Sequence, residues 1–207
     1  MADVKKVIEI IDRITQDIDE QKLYLTELDN VIGDGDHGIN MARGFDAVRE
    51  IEGTFEGKDI GSILKTIGMK LVSTVGGASG PLYGTGFMKA GVFLNGKSEM
   101  DMNDFVGMLQ AAIDGIMSRG KAVKGEKTML DAMIPAHDAM KASLEAGEDG
   151  KKALEAGIQA AEEGIEYTKT IVATKGRARY LGERSIGHQD PGATSFTLML
   201  KAVQALV

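Results

Sequence analysis

The sequence predicts an all-α fold of about eight helices, and three observations predict it. Apolar residues recur at three- and four-residue intervals along nearly the whole chain, the period of a helix that buries one face. The strict alternation of a half-buried strand is nowhere sustained. The breaks between periodic runs carry helix punctuation: glycine or charged turns, aspartates at N-cap positions and prolines in first turns.

The first helix begins at about Val4, with Val7, Ile8, Ile11, Ile14 and Ile18 on one face, and its pattern extends through Leu23, Leu25 and Leu28. Further helices are predicted at about 38–52, 59–75, 81–95, 101–119, 128–146, 150–173 and 191–206. Asp101 and Asp190 stand where a side-chain oxygen can take an otherwise unpaired N–H. Pro81 and Pro191 suit first turns, where the missing N–H costs nothing. Most connections are ordinary turns such as GEDG at 147–150. Three are richer: 29–40, 76–86 and 174–192. The last shows no clear periodicity, and loops of that length in a compact domain are functional or disordered. No linker-like stretch divides the chain, so its 207 residues predict one domain, 1–207, large enough to bury a core.

Composition excludes several classes of function. The net charge is −7 and there is no tryptophan, which argues against nucleic-acid binding. With no cysteine, this chain can form no disulfide, thiolate nucleophile or iron–sulfur centre. The N-terminus, MADVKKVIEIIDRI, lacks the continuous apolar run of a signal peptide, and nothing later approaches the roughly 20 apolar residues of a membrane span. The expectation is a cytoplasmic protein whose partners are small molecules or other proteins, not nucleic acid or membrane.

The chemistry concentrates in the rich loops. LDNVIGDGDHGIN places Asp29, Asp34 and Asp36 close together, with glycines that let the backbone aim several oxygens at one point. Oxygen-only ligands with room for water suit magnesium; the competing reading is a helix cap decorated with solvated carboxylates. GDGDHG matches GxGxxG, but no strand precedes it and two aspartates inside the turn would repel phosphate. An EF-hand fails for want of the right spacing and the terminal glutamate. GGASGPLYGTG, 76–86, offers small residues before a helix N-terminus: either an anion site or close helix packing. GKAVKGEKT, 120–128, falls short of a Walker A motif because Glu126 separates Gly125 from Lys127 and no strand leads in. The third loop gathers Lys175, Arg177, Arg179 and Arg184, either a solvated surface loop or a lid that closes over phosphates. His37 adjoins the aspartates and could contact a terminal phosphate; His137, inside a helical pattern, reads as structural. No GxSxG elbow supports a covalent hydrolase.

The runs LDNVIGDGDHGINM, GGASGPLYGTGF, GEKTMLDAMIPA and GRARYLGERSIGHQDPGATS, in that order, resemble the nucleotide-binding L domain of dihydroxyacetone kinases. The resemblance extends over essentially the whole chain. With nothing before its first helix, the chain is similar to the stand-alone ADP-binding subunits of phosphoenolpyruvate-dependent enzymes. That resemblance implies a closed barrel of eight antiparallel helices with the nucleotide at one end. It implies that Asp29, Asp34 and Asp36 hold two magnesium ions. His37, Asn40, Ala78 and Ser79 would contact phosphate and nucleotide; Gly120, Thr128 and Met129 would line the adenine and ribose pocket. Arg177 would be the lid arginine, catalytic together with His37, on a lid spanning about 174–190, and Asp190, Pro191 and Gly192 would close the site. The implied cofactor is ADP, ATP when charged. The implied partners are a dihydroxyacetone-binding K subunit and a phosphohistidine-bearing M subunit of the phosphotransferase system, with a transcriptional regulator as a further possible partner. Two alternatives stand beside this expectation: a nucleotide-loaded regulator without enzymatic activity, and an L-type subunit of an ATP-dependent kinase for another substrate.

Overall fold

The computed structural model describes residues 1–207 and is helical almost throughout. Its nine α-helices are α1 (Val4–Glu20), α2 (Lys22–Ile32), α3 (His37–Glu50), α4 (Ile60–Thr74), α5 (Ser79–Phe93), α6 (Met102–Gly120), α7 (Leu130–Glu145), α8 (Gly150–Thr170) and α9 (Pro191–Gln204). Two 3-10 helices, Glu52–Phe55 and Ala178–Ser185, complete them. A two-residue antiparallel pair, β1 (Ala2–Asp3) with β2 (Glu99–Met100), sets Ala2 opposite Met100 and ties the N-terminus to the turn before α6.

Several helix starts are fixed by aspartate. Asp3, Asp59, Asp149 and Asp190 each accept an N–H from the first turn of the helix they precede. Asp101 does so within a reciprocal capping box with Asp104. Asp101 and Asp190 therefore cap as the sequence predicts, and Pro191 occupies the first turn of α9. The expected continuation of the first helix to Leu28 is corrected: the helix breaks at Gln21, and α2 packs on α3 and α9 more than on α1. Charged and polar residues fill positions 19–22, so no apolar anchor holds the helix straight there. The 174–192 segment is likewise more ordered than its sequence suggests. It carries the 3-10 helix Ala178–Ser185, kinked at Gly182 (φ 57°), and such short turns leave no 3.6-residue apolar stripe to read.

Each helix from α2 to α9 packs on its neighbour in sequence, and α1 packs on α9 and α3. The α4–α5 contact is the tightest because glycines let the two backbones meet. A Cβ built on Gly91 would lie 2.5 Å from the Gly61 carbonyl oxygen, and one on Gly68 would lie 2.6 Å from that of Gly84. Core residues such as Ile18, Phe45, Ile67, Leu130 and Met140 are excluded from solvent. An apolar pocket of about 460 Å³, lined by residues that include Ile11, Phe87, Phe105, Met133 and Phe196, runs into the interior and opens to solvent beside the chain termini. No helix is long and apolar enough to cross a membrane.

This arrangement positions the site. The C-terminal ends of α2 and α6 and the N-terminal ends of α3, α5, α7 and α9 all line one polar cavity of about 530 Å³. Tyr83 and Ile116 line both this cavity and the apolar interior, and so form part of the wall between them.

Candidate functional site

Four helix N-termini open into the polar cavity, at His37, Ala78–Ser79, Met129–Leu130 and Asp190–Gly192. The first N–H groups of a helix have no partner within it, and the peptide dipoles add positive potential there. An acidic protein thereby presents a surface that attracts anions, phosphate above all.

Against that field stands the carboxylate trio. Oxygens of Asp29, Asp34 and Asp36 lie within 4.8 Å of one another. Asp29, in the last turn of α2, is buried, and its Oδ2 accepts the N–H groups of Asp36 (2.9 Å) and His37 (3.1 Å). It therefore caps α3 in place of Asp36, whose side chain makes no cap. The approach requires glycine at position 33, where an added Cβ would fall 1.9 Å from Asp29 Oδ1. Asp34 pairs with Arg177, its Oδ2 lying 2.5 Å from the guanidinium Nε. An oxygen-only cluster with one buried and two accessible carboxylates fits a hard divalent cation such as magnesium.

His37 supplies no nitrogen to that cluster. It is buried, with Nδ1 3.0 Å from Ser79 Oγ and Nε2 2.9 Å from Ser195 Oγ. Burial pushes its imidazole down from the ordinary histidine range, against the opposing pull of Asp29 and Asp36, and keeps it neutral near pH 7. A neutral ring with both nitrogens engaged donates through one and accepts through the other. Direct contact with a terminal phosphate, the role expected from sequence, would require it to release one serine. The network continues from Ser195 Oγ to the Tyr83 hydroxyl (2.7 Å), which also donates to the Gly192 carbonyl (3.2 Å). It joins the starts of α3, α5 and α9 beneath the cavity.

The opposite wall is the 171–190 arm, which contributes Lys175, Gly176, Arg177, Ala178, Arg179 and Asp190 to the lining. Desolvation pushes the Asp190 carboxyl up to about 7, although the Ala193 N–H favours its anion. Of the other sequence-predicted residues, Ala78, Ser79, Gly120, Thr128, Met129, Pro191 and Gly192 all line the cavity. Asn40 does not: it lies buried under Gly76 and accepts from Arg43 Nη2 at 2.6 Å. It supports the glycine-rich loop from below.

Four contributors escaped the sequence reading. Tyr83 and Ser195 lie inside the runs that carry the resemblance, yet nothing local marks a hydroxyl as part of a network closed between distant helices. Arg119 lines the cavity beside Gly120. Asp131 is buried and accepts the N–H groups of Gly125 and Thr128, fixing the turn before α7. Its place three residues after Thr128 was the available signal.

The family model described as "DAK2 domain" matches residues 31–205. The ADP-binding subunit DhaL of the PEP-dependent dihydroxyacetone kinase of Escherichia coli (strain K12) is 48% identical over 178 residues, 86% of this chain and 85% of the relative. The ADP-binding subunit DhaL of the PTS-dependent enzyme of Lactococcus lactis subsp. lactis (strain IL1403) is 38% identical over the full length of both chains. Among solved structures, the dihydroxyacetone kinase from C. freundii in complex with AMP-PNP and Mg2+ matches with a TM-score of 0.74 and 26% identity, over 95% of this chain and 33% of that chain. The chain thus spans about a third of that kinase. With the family model covering most of its length and relatives named as ADP-binding DhaL subunits of dihydroxyacetone kinases matched nearly end to end, the chain belongs to the DAK2-domain family.

Proposed function

We propose that this chain is the nucleotide-carrying subunit of a cytoplasmic, phosphotransferase-system-dependent dihydroxyacetone kinase. It would hold ADP with two magnesium ions so that a phosphohistidine-bearing M subunit can recharge the nucleotide in place. It would then present the resulting ATP to dihydroxyacetone bound on a separate K subunit. When bound, the magnesium nucleotide supplies the transferable phosphoryl group and offsets its charge. One observation carries the reading: the carboxylate trio, four helix N-termini and Arg177 all line a single cavity.

Phosphoryl transfer asks a protein mainly for positioning and charge neutralisation. Asp29, Asp34 and Asp36 would hold the cations. Ala78 and Ser79 at the start of α5 would take phosphate oxygens, with Asn40 holding the loop beneath them and His37 fixing the Ser79 hydroxyl. Gly120, Thr128 and Met129 would form the adenine and ribose end, and Pro191 and Gly192 would close the floor. Arg177, now paired with Asp34, is exposed enough to swing onto the charge that develops during transfer. The 174–190 arm then acts as a lid, and the whole chain as one domain. We also read the helices as a closed up-and-down barrel, which the contact of α9 with α1 supports. No protein nucleophile is needed, and the base acting on dihydroxyacetone would belong to the K subunit.

The test is a reconstituted reaction with phosphoenolpyruvate, the phosphotransferase components and dihydroxyacetone. Asp34→Ala is expected to abolish both magnesium-dependent nucleotide retention and dihydroxyacetone phosphate formation. Unimpaired turnover by that variant would remove the proposal.

A further inference from the structure

Lys127 is buried, 2% exposed, and has no carboxylate within ion-pairing distance. Burying a lysine without such a partner is rare because the ammonium must replace its water. Here backbone carbonyls replace it. Nζ donates to the carbonyls of Thr168 (2.5 Å) and His188 and lies 3.5 Å from that of Ile171. Three donors thus meet three acceptors. Two acceptors sit where α8 gives way to the 171–190 arm, and the third lies two residues before Asp190, where the arm returns to α9. Desolvation pushes the ammonium down from the ordinary lysine range, while the more distant charges of Asp190 and Asp131 favour it.

Two further features show how this lysine is aimed. Its backbone has φ 60°, one of only two non-glycine residues in the left-handed region. Such a conformation costs roughly 1 kcal/mol and persists only where its surroundings enforce it. Asp131 enforces it by taking the N–H groups of Gly125 and Thr128 on either side. The arm, for its part, has little apolar anchorage: of residues 171–190 only Ala173 and Ser185 are buried. Its order comes from polar ties at its base, which include Gly187 N–H to the Lys169 carbonyl (2.7 Å) and Ala173 N–H to Ser185 Oγ (2.9 Å). Lys127 is the one side chain whose cationic head contacts both ends of the arm.

We propose that Lys127 is a positioning residue that clasps the base of the 171–190 arm, holding Arg177 and Asp190 in register at the cavity. Its consequence for nucleotide binding rests on the reading of the cavity as an ADP site; the clasp itself does not. Removing the head group leaves carbonyls without a donor and frees the two ends of the arm. Helices α4 and α5, which pack on each other and on α3 and α6, do not depend on it.

The experiment is amide hydrogen exchange on the full, nucleotide-free chain, comparing wild type with Lys127→Met and Lys127→Gln. Losing charge-assisted hydrogen bonds at one end of a segment should speed exchange across 171–190 about tenfold in the Met variant, and less in the Gln variant, which keeps a donor. Amides of α4 and α5 should exchange as in wild type. Dissociation of a fluorescent ADP in magnesium should accelerate on the order of tenfold in the Met variant. Wild-type exchange in the arm of the Met variant overturns the clasp. So does uniformly faster exchange, or loss of helical structure in both variants, because Lys127 would then be a general determinant of the fold. If wild-type protein itself fails to bind the ADP probe, the site reading fails while the exchange result still decides the clasp.

Discussion

At the scale of the residue, Asp29 performs two tasks with one carboxylate. One oxygen caps α3 through two N–H groups, while the other faces the Gly33 turn beside Asp34 and Asp36. The tasks separate by substitution. Asp29→Asn can keep an oxygen on the cap but removes the charge, so its thermal midpoint should stay near wild type while magnesium-dependent ADP affinity falls more than about tenfold. Asp29→Ala loses both and should also cost about 1–2 kcal/mol of stability in urea unfolding. Equal ADP affinity in Asp29→Asn and wild type would show that the charge is not used for a cation. The aspartates and His37 were legible in the sequence because crowded carboxylates among glycines are chemically conspicuous. The sharing of Asp29 between cap and cluster was not, nor was the burial of Lys127. In GKAVKGEKT the lysine looks like part of a failed Walker motif, and only the fold brings the Thr168 and His188 carbonyls to it.

At the scale of the element, helix identity was legible and helix ends less so. Long amphipathic runs announce themselves by period, and Asp101 and Asp190 cap where expected. The break at Gln21 and the 3-10 turns of 178–185 were hidden because a one-residue kink and a short tight helix leave no distinctive apolar pattern. The caps themselves have measurable consequences. At the start of α4, Asp59 accepts from the Ser62 hydroxyl (2.6 Å), the Ser62 N–H (3.0 Å) and the Gly96 N–H (3.1 Å). These bonds, the Ser62 hydroxyl foremost, hold its carboxyl down to about 2 from the ordinary 3.8. A carboxyl lowered in the folded state contributes stability that is present above its unfolded value and is lost as pH falls toward the folded one. Asp59→Ala should therefore cost about 1 kcal/mol at neutral pH. The gap between variant and wild-type denaturation midpoints should close between about pH 4 and pH 2. A gap that persists unchanged at the acid end would show that the carboxylate charge does not support the cap.

At the scale of the whole molecule, connectivity creates the site. Connections of very different length, from the short turns before α3 and α5 to the 171–190 arm before α9, bring the starts of α3, α5, α7 and α9 to one cavity, so a chain with net charge −7 carries a local anion-attracting field beside its own carboxylate trio. Composition alone points away from polyanions such as nucleic acid, but a local anion site is invisible to net charge. That contrast also explains why the motif runs were informative while the Tyr83–Ser195–His37 network was not: loops announce their chemistry locally, whereas a cavity floor is assembled from helices far apart in sequence. The most direct test of the central claim is native mass spectrometry of the full chain after exhaustive desalting in magnesium, with nucleotide identified in the supernatant of the denatured protein. One retained ADP per chain together with magnesium is the expected result. A bare chain, whether it then binds ATP reversibly or takes up no nucleotide at all, would contradict a resident, rechargeable nucleotide.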